Sequence, residues 1–144
     1  MNIENVLAQK GGHVYTVRPD QTVREVVALL ASRNVGALVV VDERARPVGI
    51  ISERDIVRAA AREERLFDRP VRELMTRDLI LAAPQDDLRV VAHTMTEHRI
   101  RHLPVVAGEQ LVGIVSIGDV VKAQRDQYEG EIDILESRVA AEHP

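Results

Sequence analysis

Serine and aspartate recur in two short segments that share one pattern. Gly49-Ile50-Ile51-Ser52-Glu53-Arg54-Asp55 and Gly113-Ile114-Val115-Ser116-Ile117-Gly118-Asp119 each run from a glycine through two apolar residues to a serine, with an aspartate three positions later. An apolar pair ending on serine reads as a strand that gives way to a helix. At that N-terminus a hydroxyl and free backbone N–H groups meet partial positive charge, which suits a phosphate. The aspartate lies one helical turn further along the same face, where a carboxylate can accept hydrogen bonds from both hydroxyls of a ribose. The glycine either ends the preceding turn or lets backbone and ligand approach closely. The same Ser-x-x-Asp spacing is also a capping box, which stabilises a helix and binds nothing. Arg54 has no counterpart in the second segment, where Gly118 takes its place, so the two sites are expected to differ in charge.

Other reaction centres find little support. His93, His98 and His102 are spaced by five and four across an expected helix end, and no cysteine completes a metal-binding set. The chain contains no G-x-S-x-G nucleophile elbow, Walker A loop or G-x-G-x-x-G turn. A nucleotide would therefore be bound by another architecture and not hydrolysed, and no enzyme activity is expected.

The elements that position the two segments form an internal repeat. Pro19 and Pro84 each follow a short extended segment, Val14 to Val17 or Leu79 to Leu81, and precede a helical pattern. Val23, Val26, Val27 and Leu30 in the first copy, and Leu88, Val91, Ala92 and Met95 in the second, keep the i, i+3, i+4, i+7 spacing of an amphipathic helix. Thr22, and Asp86 or Asp87, are the candidate N-caps. Buried strands are expected at Ala37 to Val41 with Val48 to Ile51, and at Leu103 to Val106 with Leu111 to Val115, each pair followed by a second helix. The shorter hairpin turn Gly108-Glu109-Gln110, against Asp42 to Pro47, absorbs the length difference between the copies. Each βαββα unit is too small to cover its own sheet, so the two must pack together.

Outside the repeats the reading expects a helical segment at Ile3 to Ala8, a linker at Glu63 to Pro70 and a helical turn at Val71 to Met75. At the C-terminus Val121, Tyr128 and Leu135 recur at seven, and Arg125, Ile132 and Val139 fill the interleaved series, giving a short coiled-coil-like stripe interrupted by Gly130. That helix either folds back over its own domain or meets a second subunit. The organisation is thus an N-terminal segment 1–11, repeats 12–69 and 70–126, and a C-terminal helical extension 127–144.

Composition sets the remaining bounds. The chain has 144 residues, 45% hydrophobic but only 2% aromatic, so its core is aliphatic and β-branched. With 19 Lys and Arg against 23 Asp and Glu, the net charge of −4 provides no overall field for nucleic acid or an acidic membrane. The absence of cysteine, of a signal-like N-terminus and of a membrane-length apolar run leads to the expectation of a soluble, cytoplasmic protein.

Two G-h-h-S-x-x-D segments closing two βαββα units resemble a CBS pair, the tandem module named after the regulatory domain of cystathionine β-synthase. Val14-Tyr15-Thr16-Val17 and Arg99-Ile100-Arg101-His102-Leu103-Pro104-Val105 add to the likeness, which covers almost all of residues 12 to 125 and is strongest with small bacterial stand-alone members. The resemblance implies an α+β fold of two repeats related by a pseudo-twofold, with a C-terminal helix added. It implies adenosine ligands in clefts between the repeats, AMP or another adenosine nucleotide or NAD, and no catalytic cofactor. Ser52, Asp55, Ser116 and Asp119 would hold ribose and phosphate, with Arg54 adding charge. Arg101 and His102 become candidates for phosphate, unless Arg101 only pairs with a surface carboxylate, while their uncharged counterparts Gly36 and Ala37 leave room for base or sugar. Thr16, with Val17, and Pro104 occupy further family contact positions; Leu81, the counterpart of Thr16, supplies no hydroxyl. A homodimer is implied, as is a regulatory role toward a separate partner, because these residues include no attached catalytic domain. The alternative is a structural or interaction module with vestigial clefts.

Overall fold

A computed structural model describes residues 1–11 and 13–142. Gly12, where the first repeat is expected to begin, and His143 and Pro144, at the end of the expected extension, lie outside the described residues. The elements run α1 (Ile3–Lys10), β1 (Thr16–Val17), α2 (Val23–Arg33), β2 (Ala37–Val41), β3 (Pro47–Ser52), α3 (Glu53–Ala60), α4 (Leu88–His98), β4 (His102–Ala107), β5 (Gln110–Ser116) and α5 (Ile117–Glu142). Short 3₁₀ turns at Leu66–Asp68 and Val71–Glu73 lie between α3 and α4.

The first helix of each repeat forms where the apolar spacing places it. The Thr22 hydroxyl accepts the Glu25 N–H at the start of α2, and Asp87 rather than Asp86 caps α4 by accepting from the Arg89 N–H. Both helices end in a left-handed residue, Asn34 at φ 51° and Arg99 at φ 53°. Asn tolerates that geometry, whereas an arginine there carries strain on the order of 1 kcal/mol. Val23, Val26 and Leu30, like Leu88, Val91 and Met95, are buried against the strands that follow.

The two sheets are alike in register and unequal in size. β2 and β3 pair antiparallel with a shift between Val40 and Val41, and β4 and β5 pair with the equivalent shift between Val105 and Val106. β1 joins the first sheet parallel to β2, Thr16 opposite Val39 and Val17 opposite Val40. The strand expected at Leu79 to Leu81 does not form. The second repeat has instead one parallel bridge, Ala82 opposite Val105, made by the Ala82 N–H to the Pro104 carbonyl and the Val106 N–H to the Ala82 carbonyl. A further bridge at Leu81 would need an N–H from the residue standing where Val39 stands in the first repeat. That residue is Pro104, which has none.

Cover for the two sheets is exchanged between the repeats. α1, which precedes the first repeat, packs on the second: Ile3 and Val6 are buried with Leu88, Val91, Met95, Leu103, Val105 and Val115. Its backbone is fastened there by Ile3 N–H to the Asp86 carbonyl and Glu4 N–H to the Pro84 carbonyl. The turn that precedes the second repeat packs on the first, with Val71 buried beside Val17, Val26, Leu38 and Ile51 and Met75 against the same cluster. The two strand glycines take this cover directly. A Cβ at Gly49 would lie 2.5 Å from Met75 Sδ, and one at Gly113 would lie 2.6 Å from Leu7 Cδ2. Neither glycine ends a turn; each leaves the hollow into which the covering side chain fits.

The second helix of the second repeat and the expected C-terminal helix are one element, α5. It runs unbroken through Gly130, at a propensity cost of about 1 kcal/mol relative to Ala. Val120 and Ala123 anchor its start in the core, and every described side chain from Tyr128 onward is exposed, so the helix does not fold back over its own domain. No described helix is long and apolar enough to cross a membrane.

Substituting Gly113→Ala should cost about 1–3 kcal/mol by overpacking against Leu7. The Leu7→Ala, Gly113→Ala double variant should be less destabilised than the sum of the two single changes, because the second truncation removes the clash. Urea unfolding midpoints of the four proteins test this, and simple additivity would mean that α1 does not sit in the glycine hollow.

Candidate functional site

Both Ser-Asp pairs lie at the strand-to-helix junction expected of them, and both form complete caps. The Asp55 N–H donates to Ser52 Oγ at 3.3 Å, while Asp55 Oδ2 accepts from the Ser52 N–H at 2.9 Å and the Ser52 hydroxyl at 3.0 Å. In the second repeat the Asp119 N–H donates to Ser116 Oγ at 3.1 Å and Asp119 Oδ2 accepts the Ser116 N–H at 2.8 Å. The helix starts are less open than the spacing suggests. The Glu53 N–H is bonded to the Gly36 carbonyl and the Ile117 N–H to the Arg101 carbonyl. With the Asp N–H groups also taken, the expected row of free donors reduces, among the described residues, to the N–H of Arg54 in α3 and of Gly118 in α5. A phosphate near α3 would therefore depend on side chains.

Those side chains are gathered in a cleft of about 510 Å³ between the repeats. Its first wall comes from β3, α3 and the start of β2: Gly36, Ile50, Ser52, Glu53, Arg54, Asp55 and Arg58, with Thr76 beside them. Its second wall is the α4–β4 corner, His98 to His102. Arg54 and Arg58 share a helix face at i, i+4 spacing, and the left-handed turn at Arg99 brings Arg99 and Arg101 to the opposite side. None of these arginines pairs with a carboxylate among the described residues, so Arg101 is not spent on a surface ion pair. Four arginines against the Glu53 and Asp55 carboxylates leave the cleft lining with a net positive charge, which favours a small anion. Asp55 lines the same cleft, and its Oδ1 accepts no hydrogen bond among the described residues.

The sequence-derived candidates do not all meet there. Gly36, Ser52, Arg54, Asp55, Arg101 and His102 line the cleft. Thr16 is exposed on β1, while Val17, Ala37 and Pro104 are buried strand residues. Ser116 and Asp119 lie at the second junction, where a smaller hollow of about 240 Å³ is lined by Val6, Gln9, Lys10, Asp119, Lys122 and Ala123. The space expected beside Gly36 is taken by an imidazole, since a Cβ there would lie 3.3 Å from His102 Nε2. Arg58 was missed although it stands four residues after Arg54, a helical spacing legible in the sequence. His98 and Thr76 were missed because only the fold brings them to the cleft. Among the described residues, no three His, Cys, Asp or Glu side chains are placed to hold a metal ion.

The second junction differs in one further way. Lys10, the last residue of α1, donates to Asp119 Oδ2 at 2.6 Å and to the Ile114 carbonyl at 2.8 Å. Partial burial pushes the Asp119 carboxyl up, but the hydrogen bonds from Lys10 and the Ser116 N–H, together with the lysine charge, outweigh it and hold the group below the usual carboxylate value. His102 stands between the two junctions. Burial lowers its pKa from the ordinary 6.5, with Lys10 and Arg101 acting in the same direction and Glu53 and Asp119 against it.

Comparison with known proteins agrees with the repeat. The family model described as CBS domain matches residues 9–62 and again 71–126. An uncharacterized protein from the ribosomal RNA operon of Thermofilum pendens is 46% identical over 109 residues, covering 76% of this chain, which spans 35% of that relative. The crystal structure of a CBS-domain containing protein from Agrobacterium tumefaciens superposes with a TM-score of 0.83 at 35% identity, covering 86% of this chain and 99% of the other. The CBS domain pair of protein MJ0100, in complex with 5′-methylthioadenosine and S-adenosyl-L-methionine, gives a TM-score of 0.80 at 27% identity over 88% of this chain and 98% of that one.

A histidine whose folded pKa lies below 6.5 binds fewer protons folded than unfolded between the two values. Stability from His102 is therefore fully present above 6.5 and is lost as the pH falls through the lowered value. Thermal melts from neutrality down to about pH 5 should show the fold weakening, and His102→Gln should flatten that slope. An unchanged slope in the variant would assign the effect to another group.

Proposed function

Because the chain belongs to the CBS domain family, we propose that it is a regulatory module that binds an adenosine nucleotide and reports its level to a separate partner. The observation that carries this reading is the inter-repeat cleft, where Arg54, Arg58, Arg99 and Arg101, none of them in an ion pair among the described residues, share the lining with the Glu53 and Asp55 carboxylates. A carboxylate accepts from ribose hydroxyls and the arginines offer forked donors to phosphate, so one cleft supplies both halves of the recognition. The adenosine ligands of the MJ0100 domain pair support the same ligand class. AMP, a higher adenosine phosphate and the adenosine half of NAD all meet these requirements. Asp55 Oδ1 and the Ser52 hydroxyl would hold the sugar, with Arg54, Arg58 and Arg101 on the phosphate. Thr16, Val17, Ala37 and Pro104 would contribute through the backbone that frames the cleft, and Ser116 with Asp119 mark the equivalent position in the second repeat. A binding module of this kind performs no chemical step, and a cysteine-free chain suits the reducing cytoplasm.

The reading includes a homodimer. Tyr128, Ile132, Leu135 and Val139 are 53–59% exposed and follow one another at four, three and four residues along α5. Ile132 and Val139 then fall on one seam position and Tyr128 and Leu135 on the other, the β-branched and leucine pattern of two-stranded coils. Val57 on α3 and Val121 on α5, equivalent in the two repeats, are exposed as well. This surface also favours the second reading, an interaction module, which differs from the first only in holding the clefts to be empty of function.

Calorimetric titration with AMP should show Asp55→Ala binding at least tenfold more weakly, since each lost charge-assisted bond is worth about 1.5–3 kcal/mol, while Asp119→Ala changes affinity less. Undiminished binding by Asp55→Ala would remove the nucleotide reading of this cleft. A chain ending at Gln127 should sediment as a monomer, or associate at least tenfold more weakly than the full chain. Full retention of the dimer would place its interface elsewhere.

A further inference from the structure

The two junctions satisfy one backbone acceptor in different ways, and the difference bears on how many ligands the chain can take. Ile50 and Ile114 are equivalent strand residues two positions before the capping serines. In the first repeat the Ile50 carbonyl accepts the Thr76 N–H at 2.9 Å, and the Ile50 N–H returns a bond to Thr76. That acceptor is closed by backbone, and Asp55 keeps only its own cap. In the second repeat the covering segment is the helix α1, and its last turn brings a side chain where the first repeat has backbone. The Ile114 carbonyl is closed by the Lys10 ammonium, which takes the Asp119 carboxylate with it.

Lys10 is held in this place by the body of the fold. The helix that carries it is capped by Asn2, anchored by buried Ile3 and Val6, and fitted into the hollow at Gly113 through Leu7. Asp119 Oδ2 thus already receives the Ser116 N–H and a cation. The ammonium neutralises the Asp119 carboxylate as a whole, so its other oxygen, Oδ1, meets a neutral ribose hydroxyl as a weaker acceptor than Asp55 Oδ1 does. Lys122 lines the same small hollow and adds positive charge next to it.

We infer that Lys10 acts as a built-in occupant of the second junction, so that the chain takes one nucleotide, at Asp55, and a second only when α1 releases Asp119. The inference rests on the adenosine reading of the Asp55 cleft and extends it to stoichiometry. It makes Lys10 a residue that determines occupancy, on an element outside both βαββα units.

The test is calorimetric titration of the full chain with AMP, with melting curves run alongside to establish that each variant is folded. Wild type and Lys10→Arg, which keeps the ion pair, should bind one AMP per chain. Lys10→Met and Lys10→Gln should bind two, and adding Asp119→Ala to either should return the count to one. Two AMP on the wild type, or one on both charge-removing variants with the Asp55 site intact, would overturn the role of Lys10 and leave the Asp55 reading standing. No AMP on the wild type but one on the charge-removing variants would overturn the Asp55 reading and leave Lys10 as the occupant. No binding by any of them would overturn both.

Discussion

Neither small sheet can cover itself, and the architecture follows from how that cover is supplied. A βαββα unit of this size offers two or three short strands and one helix face, and leaves an apolar side open to water. The chain meets this by exchange: the segment entering the first repeat covers the second, and the segment entering the second covers the first. Gly49 and Gly113 are the hollows that receive Met75 and Leu7. This exchange fixes where Thr76 and Lys10 arrive, and through them the character of each junction. The site chemistry is thus a consequence of how the core is closed.

Charge is organised on the same frame. A net charge of −4 conceals a separation, with Arg54, Arg58, Arg99 and Arg101 outnumbering Glu53 and Asp55 at the inter-repeat cleft, and Glu129, Glu131, Asp133, Glu136 and Glu142 outnumbering Arg138 along the projecting part of α5. The overall sign argues against a polyanion partner and is silent on a small anion. The local field decides that, because screening limits its reach to about 8–10 Å at ordinary salt.

The structural and functional readings of Ser-x-x-Asp turn out to be compatible. In α3 the cap uses the Ser52 N–H and hydroxyl on a single carboxylate oxygen, Oδ2. That holds the Asp55 side chain in one orientation and leaves Oδ1 without a hydrogen bond among the described residues, so the cap pre-positions the group that would meet a sugar. In the second repeat the cap keeps the reciprocal backbone bonds, but Lys10 donates directly to the Oδ2 of Asp119. Identical local motifs therefore differ in what they leave free, by the arrival of a residue more than a hundred positions away in sequence.

Much was determined by the sequence alone. The repeat, the helices that begin at Val23 and Leu88, and the strands at Ala37–Val41 and around Leu111 to Val115 follow from periodicity. The capped Ser-Asp pairs follow from short-range spacing, and Arg58 was legible four residues after Arg54. Long-range placement was not. The missing strand at Leu79 to Leu81 depends on Pro104 lying opposite it, and the hollow of each glycine depends on which side chain crosses to it. The grouping of Thr76 and His98 with Asp55, and the pairing of Lys10 with Asp119, likewise join residues whose separation in the chain carries no signal of contact. Local pattern records the face a residue presents, since that depends on its neighbours within a turn. What that face meets is set by the packing of one repeat on the other, which no local pattern encodes.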